Sequence, residues 1–180
     1  MTVGDASCSS LDIRALEVQT RYVTIDLARQ LFESGRAHAL ASDLLYRSAI
    51  LHAEQEQIED IERFAFNGTF SLSTHYLLGL GLELMLKAAM VASGGPSDEK
   101  SLRAIGHDLV KALDSAEAAG FNSEAPNLRG IVDVMSEPFK EHWFRYGRPN
   151  NFELPGNWIQ VVEALEVLDA ELGARLWENE

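Results

Sequence analysis

The sequence predicts an all-α protein built as one domain. Apolar residues recur at three- and four-residue spacing in segment after segment, most segments run into a glycine, and no two alternating runs are joined by a tight turn. At 180 residues, 46% of them apolar and 24% charged, the chain can fill one ordinary hydrophobic core and would be cramped as two. A polar tail is expected over residues 1–10 and a single helical domain over 11–180.

In "TIDLARQLFESG", Thr24 offers a cap, Ile25, Leu27, Ala28, Leu31 and Phe32 fall on one side, and Gly35 reads as the stop. The next segment, through Gly68, places apolar or small residues at Leu40, Leu44, Ser48, Leu51, Ile58 and Ile61, which is helical rather than strand spacing. The hydroxyls of "SLST" are expected to cap the helix that follows, and "SGGP" supplies its end.

That third helix, "THYLLGLGLELMLKAAMVASGG", is apolar enough to suggest a membrane span, yet it carries Glu83 and Lys87. Each charge would cost about 2.5–3.5 kcal/mol at mid-bilayer. Four residues apart, the two can instead pair along one helix face. The expectation is a central core helix outside any membrane, with an ion pair holding its register. Gly79 and Gly81 do not follow a strand, so they read as close helix packing rather than a phosphate loop.

Beyond a polar loop, Leu109, Leu113 and Ala116 mark a core-facing side that stops at Gly120. Ile131, Val134 and Met135 face inward on a further helix, interrupted or bent near Pro138. Asn157 caps a last helix whose stripe is Trp158, Val161, Val162, Leu165, Leu168, Leu172 and Leu176.

A net charge of -13 opposes a broad electrostatic nucleic-acid surface, so any RNA contact must be local. The lone Cys8 has no disulfide partner, and the N-terminal stretch has neither the basic start nor the apolar core of a signal peptide, which together lead to a cytoplasmic expectation. The chain has no Glu-x-x-His, no zinc-ligand cluster, no Gly-x-Ser-x-Gly and no Walker loop. No metal or cofactor is expected.

The run "LGLELMLKAAMVASGG", then "GHDLVKAL", then "FRYGRP", resembles the HEPN superfamily, the nucleotide-binding domains of higher eukaryotes and prokaryotes. The resemblance spans roughly Thr24 to Leu176. It rests on Glu83 and Lys87, on Gly106 to Leu109, and on Arg145 with Tyr146, in that order and spacing. It implies an antiparallel up-and-down bundle of roughly four to five helices, often a homodimer with its groove at the interface. It also implies a nucleotide, an RNA or a partner protein as ligand. Relatives serve beside nucleotidyltransferases or in toxin–antitoxin and phage-defence systems, so a nucleotidyltransferase or an antitoxin is an implied partner.

Ribonucleases of that superfamily use an Arg followed at four to six residues by a His. The Arg holds the scissile phosphate and the His moves a proton as the 2'-hydroxyl attacks. Here no His follows Arg145; His142 precedes it. The formal match Arg47–His52 lies in an early helix, where a five-residue step separates the side chains by about 140°, and reads as coincidence.

The site expected from these residues centres on Arg145, with His107 or His142 as the proton-transfer group. Tyr146 and Arg148 complete a basic-aromatic cluster able to hold a phosphate and stack a base. Glu83, Lys87 and Asp108 are the further ligand-binding candidates. Each has a structural alternative: Glu83 and Lys87 as an internal ion pair, Asp108 as a helix cap, and Arg145 paired with a carboxylate while Trp143 and Phe144 pack inward. Three functions follow: a binding domain without robust nuclease activity, a divergent metal-independent ribonuclease, or a small-molecule bundle with a pocket lined by Tyr76 and Met85.

Overall fold

The computed structural model describes residues 10–68, 70–146, 154–155 and 157–177, with side chains from residue 24 onward except that of Asn67. The described residues are helical and contain no strand. Their helices are α1 (Ser10–Gln55), α2 (Ile61–Asn67), α3 (Ser71–Ala92), α4 (Glu99–Ile105), α5 (Leu109–Ala118), α6 (Leu128–Lys140), α7 (Trp143–Tyr146) and α8 (Trp158–Trp177). Of the tail expected over residues 1–10, only Ser10 is described, and it begins α1.

The largest departure from expectation is α1. Where two helices were expected, divided at Gly35, one helix runs for 46 residues. Gly35 does not stop it because the missing side chain serves packing instead. A Cβ at Gly35 would stand 2.9 Å from the backbone of Gly81 and of Met85, and one at Gly81 would stand 2.9 Å from the Ala39 nitrogen. Residues 35 and 39 thus meet residues 85 and 81 in reverse order, so α1 and α3 pack antiparallel at close range. The helix-packing role expected for Gly81 is what the structure shows.

Elsewhere the chain is divided more finely than the four or five helices expected. It turns at Gln57 (φ 53), at Gly106 (φ 63) and at His142 (φ 57), and Asp60 caps α2 through the Arg63 nitrogen (3.0 Å). α3 begins at Phe70 without a side-chain cap. The hydroxyls of "SLST" point back instead: Ser71 Oγ donates to the Phe66 carbonyl and Thr74 Oγ1 to the Phe70 carbonyl. Pro138 lies within α6, which continues to Lys140, and Val132 takes the buried position expected for Val134. The α8 start is as expected, with Asn157 Oδ1 accepting from the Ile159 nitrogen (2.9 Å).

α3 occupies the centre and packs against α1, α2, α5, α6, α7 and α8. It is long and apolar enough to cross a bilayer, and 72% of its most apolar window is buried inside the fold. Leu78, Leu82, Met85, Leu86 and Met90 are removed from solvent almost entirely, each such side chain contributing about 1.5–3 kcal/mol. Gly79 faces the Phe139 ring of α6 where a Cβ would collide with it. That contact seats the end of α6 on α3, beside the two charged residues.

Candidate functional site

Glu83 and Lys87 lie one turn apart on α3, buried, with Lys87 Nζ donating to Glu83 Oε1 at 2.5 Å. The ammonium also donates to the Gly106 carbonyl (3.2 Å). Glu83 Oε2 accepts from His107 Nδ1 at 2.9 Å. A carboxylate can only accept, so the proton of His107 resides on Nδ1, and in the neutral ring Nε2 is left as the acceptor. Fixing a tautomer by a buried carboxylate is how an imidazole is prepared for proton transfer.

His107 occupies the turn between α4 and α5. Asp108 caps α5, Oδ1 accepting from the Lys111 nitrogen (3.1 Å). Lys140 Nζ donates to Oδ2 (2.9 Å) and Ser136 Oγ to Oδ1 (3.2 Å), while Ser136 Oγ accepts from the Val110 nitrogen. The hydrogen bond from Lys140 holds the Asp108 carboxyl below the usual range, and the amide and hydroxyl donors add to the effect. Its oxygens being engaged, Asp108 ties the start of α5 to the end of α6.

That tie sets His107 beside the residue that follows α6. The His107 ring stands edge-on to Phe139 (5.4 Å between centroids) and to His142 (5.2 Å). His142 adopts a left-handed backbone at φ 57, a conformation that costs a non-glycine residue about 1 kcal/mol or more. Its ring lies 6.2 Å from that of Tyr146. The Arg145 guanidinium is 5.0 Å from the Tyr76 ring centre and 6.0 Å from that of Tyr146.

Lys87, Glu83, His107, His142, Tyr146, Arg145 and Tyr76 therefore form one continuous line of contacts, drawn from α3, the α4–α5 turn and the α6–α7 end. Of the residues expected from sequence, six join this line, Asp108 braces it, and Arg148 lies outside the described residues. Phe144 is buried and Trp143 half-buried, but Arg145 is exposed and makes no ion pair among the described residues. A guanidinium held on aromatic faces without a carboxylate keeps its donors available to an anion. Tyr146 is 82% exposed.

Sequence reasoning missed Tyr76 and Phe139 as parts of this site. Tyr76 precedes Glu83 by seven residues, two helical turns, so it shares that face of α3; this spacing was the available signal. Phe139 had none, since its place depends on Gly79 across the fold. Met85, expected to line a pocket with Tyr76, is instead packed under Gly35. Arg47 pairs with Asp43 at 2.6 Å, and His52 rests against Phe64 and Phe70.

Among the described residues no three His, Cys, Asp or Glu side chains are grouped to hold a metal ion. Comparison with known protein families, with curated proteins and with solved structures finds no match to this chain.

Proposed function

We propose that the face formed by Glu83, His107, His142, Arg145 and the tyrosines binds a phosphate ester of RNA or of a nucleotide, and that its two histidines pass protons across that phosphate. The observation that carries this reading is the position of His107, fixed by a buried carboxylate and 5.2 Å from a second imidazole. In this reading His107 Nε2 takes the proton of the 2'-hydroxyl as that oxygen attacks phosphorus. His142, protonated, gives its proton to the departing 5'-oxygen as the phosphorus–oxygen bond breaks. Arg145 stabilises the charge that builds on the phosphate, and Tyr146 offers a ring for a base.

The sequence resemblance supports placing the chain as a HEPN-like antiparallel helical bundle, acting as a homodimer or with a nucleotidyltransferase or antitoxin in toxin–antitoxin or phage-defence settings. Exposed Leu40, Leu44 and Leu51 on α1 offer apolar surface to such a partner. A second reading, RNA or nucleotide binding without turnover, is favoured by the charge of -13 and by the missing His after Arg145.

Both readings require binding, which fluorescence anisotropy of a labelled single-stranded RNA at low salt would measure. Saturable binding, weakened about tenfold or more by Arg145→Ala in a protein that keeps its helicity, is the expected result. No saturation at any protein concentration, or equal affinity in the variant, overturns the assignment of this face.

A further inference from the structure

The face that Arg145 shares with the two histidines is poor in free positive charge. Among its described residues, Arg145 is the one Lys or Arg side chain without a carboxylate partner, since Lys87 is paired with Glu83 and Lys140 with Asp108. Glu137 and Glu141, both exposed, act on the Lys140 ammonium as well and leave the end of α6 with a surplus of negative charge. Glu141 directly precedes His142, so that surplus lies at the edge of the site. The segment 147–153, outside the described residues, carries Arg148 and Glu153 and adds no net charge. Stacking surface is equally scarce: Tyr146 is 82% exposed, whereas the Tyr76 ring is covered by the Arg145 guanidinium.

We propose that the unit recognised by this face is a single phosphodiester with one stacked nucleoside, so that a dinucleotide binds nearly as well as a long single strand. The proposal rests on the phosphate-ester reading and narrows its substrate class. Proteins that track a long strand line its path with cations and with successive aromatic platforms. Here each added nucleotide brings a phosphate but meets no further free cation among the described residues. It also enters the field of a chain with net charge -13, with Glu137 and Glu141 nearest, and that field repels it. One neutralised phosphate fixes the salt dependence too. A fourfold rise in salt weakens binding about threefold for Arg145 alone, and less than about tenfold if a protonated histidine adds a second charge.

Competition against a labelled single-stranded RNA tests it, with an unlabelled dinucleotide and a decanucleotide as competitors for the full chain. Both carry 2'-O-methyl groups, so neither can be cleaved. The decamer is expected to compete no more than about tenfold better, the statistical gain of its additional phosphodiesters. Both should weaken by less than about tenfold between about 50 and 200 mM salt. Replacing the exposed pair, Glu137→Gln with Glu141→Gln, should improve the decamer at least about threefold and change the dinucleotide by less than about twofold. Competition by the decamer alone, a decamer advantage beyond about a hundredfold with a steep loss in salt, or an equal gain for both lengths in the double variant overturns this proposal and leaves the phosphate-ester reading standing. Competition by neither overturns both.

Discussion

One oxygen of Glu83 accepts from Lys87 at 2.5 Å and the other from His107 at 2.9 Å. Glu83 is thus both the partner that permits a buried cation and the group that orients an exposed imidazole. The two roles predict unequal effects. Glu83→Ala leaves Lys87 with only the Gly106 carbonyl and should cost about 3–5 kcal/mol, the range for breaking a buried pair. Lys87→Met leaves Glu83 bonded to His107 and should cost clearly less. Urea unfolding of both variants measures the difference, and equal losses would contradict this account of Glu83.

His142 combines an unfavourable backbone with a role in the site. His142→Gly relieves the positive φ and should leave stability unchanged or raise it by up to about 1 kcal/mol. Any RNA turnover should nevertheless fall by about a hundredfold or more, the scale of losing an acid–base group. Thermal unfolding run beside the assay separates the two effects. A variant that loses stability yet keeps its turnover would show that His142 is structural.

The α1–α3 crossing should tolerate no added carbon. Gly81→Ala places a methyl group against the Ala39 backbone and is expected to destabilise by about 1–3 kcal/mol through overpacking. Gly173→Ala on α8 meets nothing within 4 Å and should stabilise by up to about 1 kcal/mol on helix propensity. Denaturation midpoints of the two variants should move in opposite directions; a shift of the same sign in both would mean that the crossing is looser than described.

His75 is expected to weaken the fold in acid. Burial pushes its imidazole down to about 4, and the bond to the Ser71 carbonyl only partly offsets this. Nδ1 donates to that carbonyl, while Nε2 is buried without a hydrogen-bond partner among aromatic rings that include Phe66, Phe144 and Trp158. The unfolded chain binds this proton near its ordinary value of 6.5. The contribution is therefore fully present above about 6.5 and is lost as pH falls towards about 4, amounting to about 3 kcal/mol. Stability measured across that window should fall steeply in the wild type and less in His75→Phe. Parallel pH profiles would show that the burial of His75 is not what limits acid stability.

Local pattern made some of this fold legible and hid the rest. The α8 stripe, its Asn157 cap, the Glu83–Lys87 spacing and the packing role of Gly81 follow from helical periodicity, which is written in neighbouring residues. Gly35 misled because the same residue type ends a helix or admits another helix, and the deciding partners, Gly81 and Met85, lie on a different element. His107 could be suspected as a proton carrier, but its bond to Glu83 spans 24 positions and arises only where the α4–α5 turn packs on α3, a long-range contact that local pattern does not record. The left-handed turn at His142 has no local marker, since no glycine or asparagine occupies it.

If His107 and His142 act together on an RNA phosphate, the purified chain cleaves a mixed-sequence RNA in excess EDTA, and that cleavage is the first thing to measure. Wild type, His107→Ala, His142→Ala and Arg145→Ala are compared, and product ends are read for the 2',3'-cyclic phosphate that attack by the 2'-hydroxyl leaves. Cyclic-phosphate ends are expected from the wild type, with losses of about a hundredfold or more in each variant. Undiminished cleavage in either histidine variant, or an inert wild type that still binds RNA through Arg145, would contradict the catalytic claim; the inert result would leave this face as a binding site.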